Sequence, residues 1–91
     1  MNETPIITQQ HINRISAAIG TNLVPCRSSN VVAYGYKAKN LWILFKRDKL
    51  YKFPNISKEM FRDLDVAQSK GEWVSKNLRN KVECEAYDVT F

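Results

Sequence analysis

The chain predicts an α+β fold, a three- to four-stranded antiparallel meander packed with one N-terminal helix and two C-terminal helices. Three observations carry this. Residues 31–53 hold three short runs rich in β-branched, aromatic and bulky aliphatic side chains: Val31 to Tyr36, Leu41 to Phe45, and Leu50 to Phe53. The segments between them, Lys37-Ala38-Lys39-Asn40 and Arg47-Asp48-Lys49, are polar and short. Parallel pairing needs crossovers of about a dozen residues, so these gaps demand antiparallel hairpins. Apolar residues at helical spacing, preceded by capping residues, stand on both sides of the meander.

Bulk properties bound the answer. A 91-residue chain is one domain. It buries about 60–65% of its unfolded surface, so oligomerisation would be a natural supplement to a modest core. Hydrophobic content of 44% marks a globular domain and not a disordered basic tail. No apolar run approaches the roughly 18 residues of a membrane span. Met1-Asn2-Glu3-Thr4-Pro5 lacks the basic and apolar regions of a signal peptide, so a cytoplasmic protein is expected. Cys26 and Cys84 form no CxxC pair and are expected as free thiols. With His11 the sole histidine, no zinc site and no cofactor are expected. The net charge is +5, unevenly placed: residues 27–81 carry 13 Lys/Arg against five Asp/Glu, whereas residues 82–91 carry three acids and no base. A basic body suits an anionic partner; the plainer reading is a solubilising surface.

In order, Met1 to Ile6 is a loose terminus. Thr8 is the expected N-cap of the first helix, with Ile7 and Ile12 spaced as a hydrophobic staple. Ile12, Ile15, Ala18 and Ile19 form its apolar stripe, and Gly20 stops it. The helix either covers one sheet face or pairs with its copy in another subunit. His11 and Arg14 face outward. Thr21 to Ser29 is a connector in which Pro25 keeps Val24 extended. Arg27-Ser28-Ser29-Asn30 is turn chemistry or, alternatively, a polar clamp on a ligand.

Strict alternation puts Val32, Tyr34 and Tyr36 on one face and Val31, Ala33 and Gly35 on the other. It groups Leu41, Ile43 and Phe45 against Trp42, Leu44 and Lys46, and Tyr51 and Phe53 against Leu50 and Lys52. Neither face is cleanly polar, so both are expected to be covered. Tyrosines beside lysines can stack nucleobases, although such aromatics more often belong to a core.

Ser57 caps the second helix, with Ile56 and Phe61 as a second staple. Met60, Phe61, Leu64 and Ala67 form its buried stripe; Lys58, Arg62, Asp63 and Asp65 are solvated. Ser69-Lys70-Gly71-Glu72-Trp73 has capping-box spacing and starts a third helix running to about Arg79, with Trp73, Val74 and Leu78 as core. Gly71 admits close approach, and first-turn amides beside Lys70 favour a phosphate or carboxylate. The plainer reading is a well-made helix start, with Glu72 competing against an anion. The tail from Val82 to Phe91 reads as a strand bent near Ala86–Tyr87, adding to this sheet's edge or a neighbour's.

Taken together, Ser28-Ser29-Asn30, Gly35-Tyr36, Leu41 to Phe45, Tyr51-Lys52-Phe53, and Ala67-Gln68-Ser69-Lys70-Gly71 to Arg79 resemble the KTSC domain in order and spacing. That domain is named for its place at the C-terminus of some lysyl-tRNA synthetases and also stands alone in bacteria and their phages. The resemblance divides the chain into a helical extension (1–23), a KTSC-like core (24–82) and an extended tail (83–91). It implies RNA binding, which has been suggested for the family. Ser28, Ser29, Tyr51, Ser69, Gly71 and Arg79 match the family's recurrent residues. The central Tyr-x-Tyr stands here as Tyr51-Lys52-Phe53, one hydroxyl short, and a common Asn stands as Ser75, so the ligand can differ.

These readings lead to a non-catalytic binder of a phosphate-rich nucleotide ligand. The version preferred for a stand-alone form, by analogy, is a pocket that sequesters a nucleotide-derived signal as a phage-type anti-defence sponge in a bacterial host, with homo-oligomers built by the N-terminal helix and tail. In the other version the basic surface holds RNA. The expected ligand-binding residues are Arg27, Ser28, Ser29, Tyr36, Tyr51, Ser69, Lys70, Gly71 and Arg79, with Lys70, Gly71 and Arg79 on one side of the molecule. The alternative is a protein–protein module using the first helix and last strand. An enzyme ranks last: there is no Ser-His-Asp or Cys-His set, no metal cluster, no P-loop and no dinucleotide fingerprint, although Tyr, Lys and Ser can do acid/base work.

Overall fold

In the computed structural model, which describes residues 9–26, 30–46, 49–78 and 83–88, the hairpins join into a five-stranded antiparallel sheet in chain order. The elements are α1 (Gln9–Ile19), β1 (Val24–Pro25), β2 (Val31–Lys37), β3 (Asn40–Phe45), β4 (Lys49–Phe53), α2 (Lys58–Val66), α3 (Lys70–Asn77) and β5 (Glu85–Asp88). The count exceeds the expected three to four because Val24–Pro25, read from sequence as connector, pairs with Ala33 and Tyr34. No helix among the described residues is long and apolar enough to cross a membrane.

Both faces are covered. On one, α2 and α3 bury Leu64, Val74 and Leu78 against Val31, Tyr34, Leu41, Ile43 and Phe53. On the other, α1 buries Ile12 and Ile15 against Leu23, Ala33, Trp42, Leu44 and Leu50. Alternation along β3 and β4 therefore holds as read. Along β2 it breaks: Val31 pairs with Phe45 but Ala33 with Leu44, a bulge that spends two residues of β2 on one step of β3. Val31 consequently joins Tyr34 under α2 and α3, and Val32 packs on the α1 side, the reverse of the strict-alternation expectation.

Gly35 is required by packing. A Cβ there would stand 2.6 Å from the Asn22 carbonyl oxygen, because the chain leaving α1 crosses this strand in contact with its backbone. Gly20, at φ +70°, ends α1, and the Lys37 ammonium donates to the Gly20 carbonyl at 3.0 Å. The proposed Thr8 cap lies outside the described residues.

The tail corrects one expectation. Residues 85–88 pair with β4 in continuous register, from Lys52–Glu85 to Lys49–Asp88, with no bend at Ala86–Tyr87. The strand closes on this chain's own sheet. Cys26 and Cys84 are free thiols.

Candidate functional site

Three connections meet at one end of the sheet. The Lys46 amide donates to the Asn30 carbonyl at 3.1 Å, tying the β3–β4 turn to the start of β2. Lys70, opening α3, lies near enough to Cys26 for its charge to act on the thiol; burial nonetheless raises the Cys26 pKa, the lysine opposing it. Cys26 is half-buried against the α2/α3 core, and its amide bonds Val32. Arg27, Ser28 and Ser29 lie between these two anchors in sequence but outside the described residues, as does Arg79.

Ser69 performs the predicted cap: its hydroxyl accepts from the Glu72 amide at 3.2 Å. The Glu72 carboxylate turns down the helix toward Lys76, 3.6 Å away. The Trp73 amide bonds the Ser69 carbonyl, the first regular bond of the helix. The Lys70 and Gly71 amides make no hydrogen bond among the described residues. The helix ends at Asn77, with Leu78 as C-cap, one to two residues short of the expected Arg79.

The Lys70 ammonium does not extend beside those amides. It folds back onto the last turn of α2, donating to the Asp65 carbonyl at 2.8 Å and the Ala67 carbonyl at 2.7 Å. These carbonyls are the negative end of the α2 dipole, which a cation satisfies. Its nitrogen also stands 5.8 Å from the centre of the Tyr34 ring. Lys70 thus joins α2 to α3 and cannot swing out without uncapping α2.

The tyrosines divide. Tyr34 donates to the Asp65 carboxylate at 2.6 Å, and burial, then that bond, push its hydroxyl far above the usual phenol range. Tyr36 donates to the Ile56 carbonyl at 2.5 Å and stacks on Phe61, with ring centres 4.7 Å apart and planes 8° apart. Tyr36 therefore fastens the entry of α2, at the opposite end of the sheet from Ser69. Tyr51 is half-buried, meets Phe45 edge to face at 5.5 Å, and has a hydroxyl with no hydrogen bond among the described residues. The expected set is thus split: Ser69, Lys70 and Gly71 share one end, Tyr51 lies on the same sheet face, and Tyr36 stands apart.

Sequence reading passed over Asp65, taken as solvated, whose partner Tyr34 is 31 residues away. It also passed over Lys46, Lys49 and Phe45. The signal available was the density of bases in the β3–β4 turn. Lys37, Lys52, Lys70 and Lys76 each hold a partner. Lys46 and Lys49 hold none among the described residues, nor do Arg14, Lys39, Lys58 and Arg62, and all six are exposed; Lys46 and Lys49 are the two that stand at this end of the sheet. Nor do the described residues gather three potential metal ligands.

Comparisons agree with this architecture. The sequence pattern of the KTSC domain matches residues 27–81, more than half of the chain. Among solved structures, the crystal structure of a KTSC domain protein from Yersinia pestis is similar, with a TM-score of 0.70 at 22% identity, covering 74% of this chain and 97% of that one. At that identity the likeness shows a shared fold. No curated protein matches the chain.

Proposed function

The chain belongs to the KTSC domain family, and on that footing we propose that it is a non-catalytic module binding a phosphate-rich nucleotide ligand, RNA foremost, at the end of the sheet where the three connections meet. The carrying observation is that Lys46 and Lys49, exposed and without a partner among the described residues, flank the turn tied to Asn30, at the end where α3 begins with two amides unbonded among those residues. Exposed lysines neutralise phosphates, and first-turn amides donate to them. The two lysines are exposed, which suits a polymer laid across them better than a nucleotide enclosed within one subunit. They are binding groups, with no nucleophile–base pair among them; His11 belongs to α1, on the other side of the sheet.

The protein-module alternative loses much of its surface. Ile12 and Ile15 are buried against this chain's own sheet, and β5 is paired with β4. The remaining outer edge of β5 is short.

Fluorescence anisotropy with single-stranded RNA across a salt series, beside a thermal-shift screen of cyclic and linear nucleotides, tests the proposal. RNA affinity is expected to fall steeply as salt rises, and the Lys46→Glu/Lys49→Glu double variant to bind at least about tenfold more weakly. A melting shift with one small nucleotide and none with RNA would favour sequestration of a nucleotide signal. No response to either would overturn the nucleotide reading and return the protein module to first place.

A further inference from the structure

Three tyrosines line the α2/α3 face among the described residues, and two are fully engaged. Tyr34 gives its hydroxyl to Asp65, Tyr36 gives its own to Ile56, and both rings lie against Phe61. Tyr51 differs on each count. Its hydroxyl has no partner among the described residues, and its ring packs against the α2/α3 core while staying only half-buried. Phe45 meets it on one side, ring planes 72° apart. On the other side its register partner is Ala86, exposed and too small to cover the ring. The result is an aromatic step at the rim of the α2/α3 core, where Phe45 and Tyr51 each pack against the core and keep part of the ring exposed.

Charge surrounds this step. Lys49 is two residues before Tyr51, hence on the same face, and is the register partner of Phe45. Lys46 directly follows Phe45. Neither is paired among the described residues. The opposite face offers a contrast: Trp42 meets Tyr87 at 5.2 Å, but Lys52 there is paired with Glu85 at 3.5 Å, and Tyr87 also donates to Glu85. Its cation is already neutralised, and the Glu85 carboxylate, held below its usual pKa first by the Tyr87 hydroxyl and then by Lys52, repels phosphate.

We propose that Phe45 and Tyr51 form a stacking platform for a nucleobase of single-stranded RNA, with the adjoining phosphates held by Lys46 and Lys49. The inference rests on the nucleotide reading and deepens it, adding a base contact to a phosphate contact. Base–aromatic stacking tolerates any sequence because every base has a π-face, and it combines naturally with a basic track along the backbone. The unpartnered hydroxyl of Tyr51 can donate to a base edge or exchange a hydrogen bond with a ribose 2′-hydroxyl.

The test uses the full chain and two labelled oligomers of equal length, single-stranded oligouridine and an abasic ribose-phosphate chain. Oligouridine is expected to bind about tenfold to a hundredfold more tightly. Tyr51→Ala should abolish that difference, Tyr51→Phe should keep most of it, and Lys46→Glu/Lys49→Glu should weaken both ligands. Equal binding of the two oligomers would sink the platform while leaving the phosphate reading intact; binding of neither would remove both. Photocrosslinking of 5-iodouridine RNA to the unmodified protein needs no variant to fold. Adducts on the peptide containing Phe45 or Tyr51 support the platform, and adducts confined to α1 overturn it.

Discussion

At the residue scale, Tyr34 couples a phenol, a carboxylate and a lysine that arrive from three elements. Its proton is held more tightly in the folded chain than in the unfolded one, because burial and the Asp65 carboxylate both disfavour the phenolate. The folded-state pKa is raised, so this contribution to stability is complete below the ordinary tyrosine value. It is lost as pH climbs from there toward the folded-state value. Phenolate absorbance during alkaline titration should therefore show part of the signal of the four tyrosines delayed until the chain unfolds. Tyr34→Phe should abolish the delay and raise the alkaline unfolding midpoint. A delay that persists in the variant would contradict the assignment. At neutral pH the same change should cost about 1 kcal/mol, since the exposed Asp65 returns to water.

At the element scale, α2 and α3 are held by caps that the sequence announces and by a lysine that it does not. Ser57 and Ser69 each accept from the amide three residues on, at 3.2 Å. Ser69→Ala should cost about 1 kcal/mol, a fall in Tm of about 4–8 °C for a domain of this size by calorimetry. If Ser69 and the α3 amides also take phosphate, RNA affinity should fall further than Ser57→Ala makes it fall. Equal effects of the two substitutions would assign Ser69 to folding alone. Spacing exposed both caps because a cap is a contact over three residues. The turning of Lys70 onto the Asp65 and Ala67 carbonyls depends on the angle between two helices, which spacing does not encode.

At the scale of the molecule, the sheet is a partition between two cores, and α1 is the sole described helix on its side. Ile15 has no exposed surface and packs with Trp42, Leu44 and Leu50. Ile15→Asp buries an unpaired charge, and its expected cost is at least about 3 kcal/mol. The measurable outcome is release of α1: Trp42 fluorescence shifts to the red and the uncovered sheet face drives association in sedimentation. A stable monomer with unshifted emission would mean that α1 is an accessory. The family match begins at residue 27, so this helix and β5 enlarge a domain whose matched part carries only one of the two covers.

How much was legible follows from the range of each interaction. The α+β class, the three central strands, both C-terminal helix starts, the Gly20 stop and the faces of β3 and β4 are written in period and capping, which act over a few residues. Of the candidate site, the place of Ser69 and Gly71 at the start of α3 was legible, whereas the commitment of Tyr36 and the half-burial of Tyr51 were not, because hydroxyl partners such as Asp65 and Ile56 lie tens of residues away. The tertiary structure alone decided that α1 covers this chain's own sheet and that β5 closes on β4. It also set the β2 bulge that inverts Val31 and Val32. Each of these choices turns on which apolar surface finds its complement, and burial is a property of the assembled chain, not of any window of it.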